Sequence, residues 1–158
     1  MKEWLVASYK TKEVDKLEIN LKNQKFEYYL PIIFLEKFNT KLKKEYMFPG
    51  YIFVKSNITN YNALKYTKGI KKILKFGKNI PTLNKEDIDL IKKIESESLN
   101  KPISTRYRIG QEIIIKEGSL KGNLVKICSL PVAKRIDILI HFLGSKRKIN
   151  IALEDLSI

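Results

Sequence analysis

Apolar and polar residues fall into short, differing rhythms along this chain, and each rhythm predicts an element. Trp4-Leu5-Val6-Ala7-Ser8-Tyr9 is an apolar run of strand length and predicts a short buried strand. Thr11 stands where a capping hydroxyl would start a helix from Lys12 to about Gln24, with Val14, Leu17, Leu21 and Ile19 marking its apolar side. Phe26 to Phe38 is rich in aromatic and β-branched residues and predicts strand, interrupted at Pro31. A basic loop, Asn39 to Lys44, leads into a strand from Tyr46 to Lys55 that breaks at Pro49-Gly50. Asn60 to Lys68 predicts a short helix ended by Gly69. Ile70 to Phe76 follows as strand and Gly77 to Pro81 as turn. Asn84 then caps a helix carrying Ile88, Ile91 and Ile94. The order is that of an α+β fold, with helices packed on an antiparallel sheet.

From Glu95 to Arg108 the pattern changes. Ser96, Ser98, Asn100, Pro102, Ser104 and Thr105 make this the most linker-like stretch of the chain. The expected organisation is a first domain over residues 1–97, a linker over 98–108 and a second domain over 109–158. About 50 residues suit a small five-stranded barrel. Ile113-Ile114-Ile115 predicts a strand and Gly118 to Gly122 a turn. Leu120 to Leu143 carries two periods at once. As helix, Leu120, Leu124 and Ile127 share one face, and Ile136, Leu139, Ile140 and Leu143 share another beyond Pro131. As strand, Ile136, Ile138, Ile140 and Phe142 alternate equally well.

Charge narrows the function. Lys and Arg number 31 against 17 Asp and Glu, a formal net charge of +14, which favours a polyanionic partner over a merely soluble surface. Only Arg106, Arg108, Arg135 and Arg147 are arginines; lysine is a point charge suited to tracking phosphate rather than reading bases. Lys65, Lys68, Lys71, Lys72, Lys75 and Lys78 run without an intervening acid, either as a solvated face or as a contact to phosphate or to an acidic protein surface. Cys128 is the single cysteine, so an internal disulfide and a cysteine metal cluster are both excluded. His141, the single histidine, lies in an apolar run and reads as structural. No apolar stretch has the length of a membrane span, and Met1-Lys2-Glu3-Trp4 does not open a signal peptide, so a cytoplasmic protein is expected. No phosphate loop, catalytic set or cofactor motif is present, and no enzyme is expected.

The sharpest motif is Met47-Phe48-Pro49-Gly50-Tyr51-Ile52-Phe53-Val54. Pro-Gly inside an aromatic strand forfeits ladder hydrogen bonds, so the chain must bend there. Alternation puts Tyr51 and Phe53 on one face and Ile52 and Val54 on the other, leaving both faces apolar. Thr67-Lys68-Gly69-Ile70 and Phe76-Gly77, followed by Pro81, come next. With Trp4, these motifs resemble the amino-terminal domain of the NusG family. Gly110-Gln111-Glu112-Ile113-Ile114-Ile115 with Gly118 and Gly122 resembles the KOW module that follows it. Asn123-Leu124 replaces a further KOW glycine, as in the specialised RfaH branch.

That resemblance implies a transcription elongation and antitermination factor, monomeric and without a cofactor. Its partners would be bacterial RNA polymerase, the non-template DNA strand and, through the KOW domain, a ribosomal protein. Polymerase contact would fall to Phe48, Pro49, Tyr51, Phe53 and Phe76. DNA contact would fall to Lys10, Lys16, Asn20, Asn23, Thr67, Lys68 and Lys71. Lys16, Asn20 and Asn23 match base-reading positions of the RfaH branch without sharing its residues. Asn60-Tyr61-Asn62 replaces its His-Thr-Thr gate-loop contact. In that branch the second domain exists either as a barrel or as a docked helical hairpin masking the polymerase site. Glu45 and Arg135 fall where it places an interdomain ion pair, and Ile127 and Leu143 would supply apolar docking contacts. The alternatives are a housekeeping NusG and, from another class, a KOW-containing ribosomal or RNA-binding protein.

Overall fold

The computed structural model describes residues 2–37, 41–100, 103–104 and 132–147. The chain divides into two compact units, one from residues 1–30 and 49–84, the other from 31–48 and 85–158.

The first unit is built around strand β1 (Lys2–Tyr9). Strand β2 (Tyr28–Tyr29) joins the sheet at one edge through β5 (Tyr51–Asn57). β5 pairs antiparallel with β1 from Lys2↔Asn57 to Ser8↔Tyr51. On the other edge of β1 run β6 (Ile70–Ile73) and β7 (Thr82–Leu83), both antiparallel. Period-two alternation sends Leu5, Ala7, Tyr9, Ile52 and Val54 to one core, where they meet Leu17 and Leu21 of helix α1 (Val14–Asn23) and Leu64 of α2 (Asn62–Lys65). Each of the leucine, isoleucine and valine side chains there contributes about 1.5–3 kcal/mol when fully buried. Trp4, Val6 and Phe53, on the opposite face, are also buried, so the sheet is apolar and covered on both sides. The Tyr28 hydroxyl donates to the Glu18 carboxylate at 3.1 Å; burial first, then that hydrogen bond, raises its pKa above 10.0.

Two expectations for α1 are corrected. Thr11 lies inside a 3-10 turn (Thr11–Glu13) preceding the helix, and no side chain caps either N-terminus. Ile19 does not belong to the apolar side. It is 58% exposed, because it lies two residues from both Leu17 and Leu21, about 200° around a helix of 3.6 residues per turn and so on the opposite side.

The second unit holds a smaller sheet, β3 (Ile32–Lys37) antiparallel to β4 (Lys41–Tyr46) and parallel to β8 (Ile103–Ser104). Most of the expected basic loop 39–44 is therefore strand; β4 is fixed by its register with β3, from Ile32↔Tyr46 to Lys37↔Lys41. Helix α3 (Lys85–Asn100) packs on β3. It runs through residues 98–100, expected to be linker, for a visible reason. The amide of Ile32 donates to Glu95 Oε1 at 2.7 Å, and that of Phe34 donates to Ser98 Oγ at 3.2 Å, so α3 side chains cap β3 amides. Ser98 Oγ itself donates to the Glu95 carbonyl at 2.7 Å.

Residues 132–147 form helix α4 (Val132–Arg147), so this part of the doubly periodic stretch is helical, while Leu120 to Pro131 lie outside the described residues. Arg135, Leu139, Phe142 and Leu143 are buried, at spacings of four, seven and eight, which is one helical face. His141 is consequently on an exposed side of a helix rather than in a strand. The expected strand at 113–115, the turn at 118–122, Cys128 and Ile127 lie outside the described residues.

Candidate functional site

Arg135 is the largest fully buried side chain of the described residues, 2% exposed. Its Nη1 donates to the carbonyls of Tyr46 at 3.2 Å and Met47 at 3.1 Å, and its Nη2 pairs with Glu45 Oε1. Glu45 and Tyr46 end strand β4 and Met47 follows it, so all three acceptors come from consecutive residues where the strand runs out. The planar fork of arginine can serve carbonyls and a carboxylate together, which lysine cannot. Nε is buried without a hydrogen-bond partner, so the guanidinium is incompletely satisfied. Glu45 retains 24% side-chain exposure, so one partner of the pair touches solvent and the other does not. Such an arrangement does little for net stability yet is costly to break from one side.

The residues expected at a polymerase surface separate by burial. Phe53 is fully buried and its ring lies 6.2 Å from that of Tyr29, tilted by 55°. Phe48 is 2% exposed. Neither is a surface anchor in this conformation. Pro49, Tyr51 and Phe76 are half-buried. Gly50, at φ +89°, accepts a hydrogen bond from the Tyr9 amide at 2.9 Å, which holds the Pro-Gly bend against the end of β1.

The residues expected at DNA also divide. Lys10, Lys16, Asn23, Lys68 and Lys71 are exposed. Asn20 is half-buried and its side-chain amide donates to the Lys68 carbonyl at 3.2 Å, tying α1 to the turn after α2. Thr67 is held within the fold. It is 4% exposed; its hydroxyl donates to the Ala63 carbonyl at 2.7 Å and accepts from Gln24 Nε2 at 3.0 Å. Thr67→Val is therefore expected to cost about 1–3 kcal/mol of folding stability, by losing the hydroxyl's bonds with the Ala63 carbonyl and Gln24, and to leave the salt slope of nucleic-acid binding unchanged. Urea unfolding and salt titration read the two effects separately. Gly69 completes the turn at φ +105°, where a Cβ would meet that of Leu17 at 3.0 Å, so glycine is required there.

The sequence pattern did not single out Gln24, Glu95, Ser98 or Tyr66. Gln24 was read only as the end of a helix and Ser98 as linker, and only the folded contacts give them partners. Among the described residues no group of three or more His, Cys, Asp or Glu is placed to hold a metal ion. No helix there is long and apolar enough to cross a membrane.

The family model described as "Transcription termination factor nusG" matches residues 2–92. Among solved structures, one titled "Domain interaction in Thermotoga maritima NusG" is similar at 15% identity with a TM-score of 0.41. That likeness spans 74% of this chain and 66% of the other. Comparison with curated proteins gives no match. Since the family model covers more than half of the residues, the chain belongs to the NusG family, whose role is in transcription elongation and termination.

Proposed function

We propose that this chain is a specialised, RfaH-like NusG factor that binds bacterial RNA polymerase and the non-template DNA strand to suppress pausing and termination. Family membership supports a transcription factor. The specialised reading rests on one observation: a buried arginine of helix α4 engages Glu45 and the end of β4. In this reading residues 109–158 are a docked second domain, with Arg135 and Leu143 among its docking residues and Ile127 a further candidate. Their release frees the polymerase surface and allows the domain to form a barrel that can contact a ribosomal protein. The factor acts by binding, preferring the closed polymerase clamp over the paused, open one. A ligand shifts a conformational equilibrium only by its difference in affinity for the two states.

Polymerase contact is assigned to Pro49, Tyr51 and Phe76, with Phe48 beside the bend. Lys10, Lys16, Lys68 and Lys71 supply electrostatic contact to the DNA backbone, and Asn23 stands exposed beside them. Tyr51 is the most informative probe, being half-buried and thus able to both pack and project. Tyr51→Ala is expected to weaken binding to purified polymerase by about 2 kcal/mol or more, as for an aromatic interface anchor. Affinity equal to wild type in a variant with native circular dichroism would remove this surface from the account.

A further inference from the structure

Among the described residues, two large apolar side chains stand mostly in solvent: Ile19 at 58% exposure and Tyr66 at 75%. Tyr66 is not carried on a loose loop. Its amide donates to the Asn62 carbonyl at 3.0 Å, and the Thr67 amide to the Leu64 carbonyl at 3.0 Å. The next residues are tied just as closely, Thr67 by Gln24, Lys68 by Asn20, and the Gly69 carbonyl by the Lys10 amide at 3.1 Å. The backbone that carries this exposed phenol ring is therefore held on both sides of it.

The surroundings of that ring are cationic. Lys65 Nζ lies over it, 5.5 Å from its centroid, and Lys68 and Lys71 stand exposed after it. No acidic residue occurs between Glu45 and Glu86. The exposed face of α1, with Lys16, Ile19, Asn20 and Asn23 at helical spacing, adjoins the same turn through the Asn20–Lys68 hydrogen bond. An aromatic face set among lysines fits one chemistry well: an unpaired base stacks on the ring while the cations track the flanking phosphates.

We infer that Tyr66 is a stacking platform for a base of single-stranded DNA. The inference rests on the reading above that the factor touches exposed DNA, and deepens it by naming the residue. It moves contact from Thr67, whose hydroxyl is spent within the fold, to the neighbour that the same hydrogen bonds hold outward. Stacking tolerates any base, so Tyr66 adds affinity without demanding a sequence.

The test uses the full chain and a fluorescently labelled single-stranded oligo(dT), read by anisotropy across a salt series, with an unlabelled duplex as competitor. Tyr66→Ala is expected to bind about tenfold more weakly with the salt slope unchanged, and Tyr66→Phe to bind as wild type. Lys68→Gln is expected to lower the slope by about 0.7, the signature of one lost phosphate contact on a single strand. The duplex should compete poorly, since its bases are already stacked. Tyr66→Ala binding within twofold of wild type, while Lys68→Gln weakens, overturns the inference and leaves the DNA reading standing. No binding by wild type at low salt overturns both, independently of the Tyr51 test on polymerase. Weaker binding of Tyr66→Ala to DNA-free polymerase, with oligonucleotide binding intact, makes Tyr66 a protein contact and likewise overturns the inference.

Discussion

Glu45→Ala is expected to undock helix α4. The substitution removes the carboxylate that, among the described residues, pairs with Arg135 and leaves a guanidinium 2% exposed, with two carbonyls and an already unpartnered Nε. A buried charge stranded in this way typically costs about 3–5 kcal/mol, more than enough to reverse a switch whose states differ by a few. An exposed ion pair would give only about 0–1 kcal/mol, so the magnitude itself reports the burial. Amide hydrogen exchange over residues 132–147 reads the effect directly. Protection should fall by roughly a hundredfold or more in Glu45→Ala, while strands β1 and β5 keep theirs. The double variant Glu45→Leu, Arg135→Met should restore protection, because an apolar pair of similar volume is tolerated where a lone charge is not. Unchanged exchange in Glu45→Ala would show that the apolar side chains of α4 suffice without the pair.

Phe53→Ala is expected to lose about 3–5 kcal/mol of folding stability, the cost of emptying a large aromatic site in a packed core. Phe53 is fully buried in β5 and in ring contact with Tyr29. Tyr51, two residues away, is half-buried and should cost far less to the fold. Urea unfolding separates the two: the midpoint should drop sharply for Phe53→Ala with little change in slope, and modestly for Tyr51→Ala. Similar midpoints would mean that burial does not distinguish core from contact along this strand.

Much of the first unit was legible because its periods are clean. Leu5, Ala7, Ile52 and Val54 alternate, Leu17 and Leu21 repeat at four, and Gly69 stands where a positive φ is needed. β4 was not legible: Lys41 to Tyr46 has little strand preference, and its conformation comes from pairing with β3. The end of α3 was misread because serines resemble linker until Ser98 is seen bonding the Phe34 amide. For α4 both periods were present, and the tie is broken by contacts that periodicity does not encode. Arg135 and Glu45 came from family resemblance, since nothing local marks an arginine as buried. The DNA-facing set was legible as charge, but Thr67 was not recognisable as spent on Ala63 and Gln24, nor Tyr66 as exposed.

A docked helix that withholds the polymerase surface should lower the affinity of the full chain for purified bacterial RNA polymerase. Wild type, Glu45→Ala and the Glu45→Leu, Arg135→Met pair are to be compared as full chains under one salt condition. Glu45→Ala is expected to bind tighter by about tenfold or more, with the pair variant returning to the wild-type value. Equal affinity for all three, with α4 amides deprotected in Glu45→Ala, would contradict it and leave a NusG factor whose polymerase surface is open at all times.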